Sequence, residues 1–266
     1  MKKSKTKIGS AIRSQKGLEV KYLRELNKLG RALASSVREK ILPYLKSNEK
    51  TYSSDSISAD LLNLFNLLNK NFTGVITTAF AQNTATSIIE NLASNNKKRF
   101  DRSIKSSTGV DLGNIISTEG LDDFVELNIN KNVSLIKSIP EEYLKQIEVI
   151  VNNGVSSGAR YSTIAKEMAG INKKLSNRIK TIATNEIQTI NSQITLRRTE
   201  SLGVDEGIFR TSKDEKVRQC HKELDGMRYK LSQGAWSKTC QKYIVPGITD
   251  INCRCSFSPI IELDKI

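Results

Sequence analysis

Residues 174–202 carry the strongest periodic signal in the chain, and it constrains the fold more than any other feature. Leu175, Ile179, Ile182, Ala183, Ile187, Ile190 and Ile194 recur mostly at spacings of three and four, which puts them on one stripe of a helix. Gly203 supplies the stop. The same helix leaves Asn185, Glu186, Asn191 and Arg197 on polar or partner-facing surface. After Gly203 the texture changes to EGIFRTS, MRYKLS, YIVPG and CRCSFSPIIEL, which are short, β-rich and separated by turn residues. The fold class expected is therefore α+β, a mostly helical body followed by a small C-terminal module of short antiparallel strands.

The body upstream reads as further helices. Residues 18–46 place Leu18, Tyr22, Leu26, Leu29, Leu33 and Val37 on one face, with Pro43 expected to end or kink the run. KSNEKTYSSDS reads as a linker. A helical region over 57–94 is expected to break at Gly74, and the polar, glycine-punctuated stretch 95–120 reads as loop. Residues 121–137 suggest a helix meeting a β-like VSLI. Pro140 is expected in the first turn of the next helix, which Gly154 closes. A short helix over 162–169 should stop near Gly170. These signals divide the chain into a basic N-terminal helical arm (1–50), a helical body (51–203) and the C-terminal α+β module (204–266).

Composition narrows the function classes. A hydrophobic content of 38% with 6% aromatics suffices for a lean core, and no apolar run reaches the roughly 20 residues a membrane-spanning helix needs. The first residues are basic but lack a secretory apolar centre and cleavage site, so a cytoplasm, or a particle assembled in one, is expected. In such a reducing compartment a structural disulfide is not expected, and metal binding or burial is the better fate for the four cysteines. The net charge is +14, and residues 1–46 hold thirteen basic against three acidic side chains. Lys2, Lys3, Lys5, Lys7, Arg13 and Lys16 are thus candidates for nucleic-acid binding through neutralised phosphates, the other reading being a solvated face that aids solubility.

The C-terminal string TSKDEKVRQCHKELDGMRY, followed by VPGITDINCRC, is the most informative part. Thr211, Ser212, Asp214, Val217, Arg218, His221, Leu224, Asp225 and Gly226 form its first element. Pro246, Gly247, Asn252, Cys253, Arg254 and Cys255 form its second. In spacing and order this resembles the C-terminal signature of tailed-bacteriophage minor head proteins, the phage Mu F-like head-morphogenesis family. Thr184-Asn185-Glu186 is a looser match to a triplet on that family's preceding helix, and the resemblance extends over roughly 120–262.

The resemblance implies a minor capsid protein of the virion, assembled in the bacterial cytoplasm and associated with the portal or head interior. Its partners would be portal and capsid proteins and packaged phage DNA, without a membrane or a small-molecule substrate. It also implies zinc. Related proteins often carry Cys-x-x-Cys and His-x-x-Cys-x-Cys elements, and here those positions hold Arg218, His221, Asp250, Cys253 and Cys255. The ligand set reduces to His221, Cys253 and Cys255. Cys220, Cys240, Asp214 and Asp225 are candidates for the fourth place that tetrahedral zinc requires. Two cysteines two apart on a strand would share a face, whereas the neighbours Cys220 and His221 would diverge, so at most one of those two should ligate. Buried thiols beside a hydrogen-bonded histidine are the alternative.

Enzymatic readings are weaker. Cys220, His221 and Asp225 are too close in sequence to face one another as nucleophile and base. A zinc-braced DNA-binding protein or nuclease is the alternative function, but the single histidine cannot be both metal brace and general base. A non-enzyme is expected. Asp214 and Arg218 are spaced for a local ion pair if helical, and Trp236 is expected in packing.

Overall fold

The computed structural model describes residues 6–52, 55–111 and 120–263. Five long helices precede most of the β-structure: α1 (Lys16–Ser47), α2 (Asp55–Thr73), α3 (Val75–Thr108), α4 (Asp122–Ser156) and α5 (Tyr161–Ser201). The strands are β1 (Thr6–Ile8), β2 (Glu206–Arg210), β3 (Arg228–Lys230), β4 (Ala235–Ser237), β5 (Lys242–Ile244) and β6 (Ser256–Glu262), with a four-residue helix α6 (Gln219–Lys222) between β2 and β3. The α+β reading holds.

Several helices run longer than local signals suggest, and the reason is burial on both sides of the breaker. Pro43 removes one backbone bond from α1, yet Ile41 and Leu45 flank it fully buried and the helix continues. Pro140 lies inside α4 rather than at its start, between the buried Ile136, Ile139 and Leu144, and VSLI is helical. Gly154 is likewise interior, since a Cβ there would sit 2.5 Å from Ile164 Cγ1, and the left-handed Gly158 (φ 66°) follows the true end. Gly170 lies within α5, where the segments 162–169 and 174–202 form one helix supported by the buried Met168, Ile171 and Leu175. The expected loop over 95–120 is helical to Thr108. Its stripe Leu92, Asn96, Phe100, Ile104 steps by four, and the polar Asn96 disguised it. Residues 112–119 of that stretch lie outside the description. The break at Gly74 and the stop at Gly203 (φ 71°) stand as expected.

The chain clusters into two compact units that do not follow the consecutive arm, body and module division. One gathers residues of Met1–Glu19, Ile88–Asn128 and Thr184–Ile266, and the other Val20–Ser87 and Ile129–Ala183. The units are interleaved in sequence because α1, α3, α4 and α5 each contribute residues to both. Among the described residues the second unit contains helices and no strand. Tyr22, Leu26, Leu33, Ile41, Phe65, Leu68, Ile136, Ile147 and Val151 are buried within it, and Tyr22 Oη donates to Asn132 Oδ1 at 2.9 Å.

The first unit holds both sheets. Its larger sheet has the order β1-β6-β2-β3, all antiparallel, with Ile8 opposite Ile260 and Phe209 opposite Phe257. The hairpin β4–β5 forms a separate two-stranded sheet. The N-terminal segment is therefore built in. Beyond β1, Gly9 N–H donates to Pro259 O at 2.9 Å, Arg13 Nη2 to Thr211 O at 3.1 Å, and Ser14 Oγ to Gln188 Oε1 at 2.6 Å. Ile12, Phe100, Ile104, Phe209, Leu224, Tyr229, Leu231 and Phe257 make the core, and Cys220, Cys253 and Cys255 belong to it.

Candidate metal centre

The chain returns twice to one place. The turn after β2 leads through residues 211–218 into α6, and the segment 246–255 leads into β6. Nearly every charged residue of the first segment that the sequence pattern singled out is tied down, two of them onto the second. Asp214 Oδ1 accepts from Arg254 Nη2 at 2.8 Å, so its partner is Arg254 and not the nearby Arg218. Arg218 Nη2 instead donates to Ile251 O at 2.8 Å. Asp225 Oδ1 accepts from Thr211 N–H at 2.8 Å, which closes the segment on itself. Gly226 (φ 84°) makes the turn into β3.

The second segment is seated against α5. Asn252 adopts a left-handed φ of 58° and donates its N–H to Asn185 Oδ1 at 2.9 Å, giving the loosely matched triplet on α5 a structural role. Gly247 (φ 76°) is required on two counts, since a Cβ there would lie 2.1 Å from Ser192 Oγ. Its N–H is donated to Cys253 Sγ at 3.4 Å.

These anchors bring His221, Cys253 and Cys255 together. His221 Nδ1 is 3.5 Å from Cys253 Sγ and 3.5 Å from Cys255 Sγ, and the three ligand atoms all lie within 4.8 Å of one another. All three residues are buried, at 1%, 3% and 2% exposure. The two cysteines precede β6 rather than lying on a strand, so the irregular backbone at Asn252, not β-alternation, aims them at one point.

The other candidate ligands are spent elsewhere. Cys220 is disulfide-bonded to Cys240, with a Cα–Cα distance of 5.6 Å, which removes both thiols from metal binding and overturns the expectation of no disulfide. The bond fixes α6 to the turn after β4, where Glu223 Oε2 also accepts from Thr239 Oγ1 at 2.7 Å and its other oxygen from Ser237 Oγ. These hydrogen bonds, led by that of Ser237, hold the Glu223 carboxyl down at about 2. Asp214 and Asp225 are engaged as described and stay out of the cluster. Trp236, expected in packing, is 41% exposed and meets Tyr243 edge-on across the hairpin at 5.0 Å between ring centroids.

Two residues complete the centre that the sequence did not single out as its supports. Asp250 Oδ2 lies 2.8 Å from His221 Nε2, and Lys242 Nζ donates to Asp250 Oδ1 at 2.6 Å. The protonation pattern follows. The Cys253 thiol is held well below its ordinary range by its hydrogen bond with Cys255, by His221 and by the Gly247 N–H, against the opposing effect of burial. Cys255 is pushed up by the neighbouring Cys253 sulfur and by burial. His221 is raised by Cys253 and then by Asp250, with burial opposing. For Asp250 burial raises the carboxyl, but Lys242 and His221 outweigh it and the net direction is down.

This donor set suits zinc. With Zn–S near 2.3 Å and Zn–N near 2.0–2.1 Å in a tetrahedral site, a nitrogen and a sulfur ligand stand about 3.5 Å apart. That is the spacing of Nδ1 from both sulfurs. Three protein donors are present among the described residues.

The candidate nucleic-acid residues are placed differently. Lys2, Lys3 and Lys5 lie outside the described residues. Lys7 is exposed on β1 and Lys16 is exposed at the start of α1. Arg13 spends a guanidinium nitrogen on Thr211 O. No helix among the described residues is long and apolar enough to cross a membrane.

Comparison with known proteins places part of the chain beside one family. Residues 145–258 match the family model described as Phage Mu protein F like protein. The matched segment begins in α4 and ends in β6, and contains 211–226, 246–255 and the α5 residues Asn185 and Ser192 that meet them. The chain is 26% identical over 186 residues to an uncharacterized protein of Haemophilus influenzae, a match covering 70% of this chain and 40% of that protein. The chain thus spans less than half of that relative's length. No solved structure matches.

Proposed function

With residues 145–258 identified as a phage Mu F-like region, we propose that this chain is a minor structural component of a tailed-phage head, taken up at the portal vertex or head interior during assembly. The observation that carries the reading is the coincidence of the matched segment with the anchored centre. The residues that define the pattern are those that join 211–226 to 246–255 and to α5. They act as scaffold contacts, as a structural module requires.

The same geometry supports a non-enzymatic role. His221 is buried, one ring nitrogen faces Asp250 and the other faces two sulfurs, so no ring nitrogen is left to act as general base on a substrate. This weighs against the nuclease alternative. Zinc bound by His221, Cys253 and Cys255 would supply folding free energy to the module, because such a ligand set does not exist in the unfolded chain. Packaged DNA is a partner in this reading through Lys7, Lys16 and the basic residues of 1–5.

The test is compositional. Peptide mass spectrometry of DNA-filled heads from the phage or prophage encoding this chain should find it at low copy relative to the major capsid subunit. Its absence from both filled heads and empty precursor shells would overturn the proposal.

A further inference from the structure

The two ring nitrogens of His221 face different chemistry, and that difference decides how the centre works. Nε2 lies 2.8 Å from a carboxylate oxygen of Asp250, while Nδ1 lies 3.5 Å from each of two sulfurs. An ionised carboxylate only accepts hydrogen bonds, so the proton between Asp250 and the ring belongs to Nε2. In a neutral ring the lone pair then sits on Nδ1 and points between the thiols. The carboxylate is itself held, because Lys242 Nζ donates to its other oxygen at 2.6 Å. Lys242 is the first residue of β5 and pairs in register with Ser237, so the hairpin's position fixes the carboxylate and the carboxylate fixes the ring. The side chains of His221 and Asp250 are 2% and 17% exposed, which leaves water little room to substitute for Asp250.

We infer that Asp250 is the positioning residue of this centre, and that His221 takes the metal through Nδ1 while Nε2–H is donated to Asp250. The inference rests on the zinc reading given above. The carboxylate has not joined the ligand cluster, since its oxygens face His221 and Lys242. A carboxylate behind a ligating histidine raises the ring's basicity and locks its tautomer, and losing such a partner typically weakens metal affinity about 10–100-fold.

The experiment compares the full chain with Asp250→Ala, Asp250→Asn and Lys242→Met. Zinc affinity is read by competition with a chromophoric chelator, and the His221 tautomer by long-range ¹H–¹⁵N NMR, with circular dichroism as the folding control. The wild type should take one zinc per chain and show protonated Nε2 with Nδ1 bound. Asp250→Ala should lose about 10–100-fold in affinity. Asp250→Asn keeps an acceptor oxygen and should lose less, and Lys242→Met should lose least. Asp250→Ala binding zinc as tightly as wild type, or a ring protonated at Nδ1, would overturn this inference while leaving the zinc reading intact. A wild type that takes no zinc defeats the zinc reading itself, and with it this one. Should Asp250→Ala fail to fold, the tautomer of the wild type and the affinity of Asp250→Asn decide the matter alone.

Discussion

The helical unit and the C-terminal half of the strand-bearing unit both bury apolar side chains, but the second adds a dense set of one-to-one pairings. In the helical unit, Leu26, Leu33, Ile41, Ile136 and Ile147 are fully buried, and what each supplies is volume and a non-polar surface. In the segment from Thr211 to Cys255, each key residue supplies one particular atom to one partner. Arg254 meets Asp214, Arg218 meets Ile251 O, Asp225 meets Thr211 N–H, and Asn252 N–H meets Asn185. A volume requirement can be met by many sequences, whereas a pairing requirement can be met by few. That is why a spaced motif is visible in the second region, and only periodicity in the first.

The largest expected effect probes the helical side. Leu26→Ala should cost about 2–5 kcal/mol of stability in denaturant unfolding, while the volume-conserving Leu26→Met should cost less than about 1.5. Equal losses for the two would show that position 26 demands more than volume. Next comes the smallest chemical change available on the motif side, one added methyl group. Gly247→Ala should cost about 2–4 kcal/mol, because it combines a left-handed φ with a clash at Ser192. Adding Ser192→Gly should return part of the loss, while the left-handed φ and the Cys255 carbonyl 3.1 Å from the new Cβ keep the double variant less stable than the wild type. A neutral Gly247→Ala would erase the contrast between the regions.

Much of this was legible in the sequence, for reasons that can be named. The α5 stripe and the stop at Gly203 were readable because apolar residues mark a buried face directly. The cluster of His221 with Cys253 and Cys255 was readable from the motif. The continuity of α1 and α4 through Pro43 and Pro140 was not, because the side chains that override each proline belong to packing between helices. The pairing of Cys220 with Cys240 was hidden for a similar reason. Twenty residues separate them, and only the fold of the β4–β5 hairpin brings them together. The hydrogen bond from Arg13 to Thr211 O was hidden too, because a contact across 198 positions leaves no local trace. Asp250 read as a missing ligand, since sequence spacing does not tell a residue that holds the metal from one that holds the histidine.

The account turns on whether the two motif segments converge on one metal centre with the donors the structure brings together. X-ray absorption spectroscopy at the zinc edge of the purified, zinc-loaded chain measures those donors directly. The account predicts two sulfur ligands at about 2.3 Å and nitrogen or oxygen ligands at about 2.0–2.1 Å, with the sulfur signal weakened in Cys253→Ala or Cys255→Ala. A stable chain that retains no metal, or a site with three or four sulfurs drawing in Cys220 or Cys240, would contradict it.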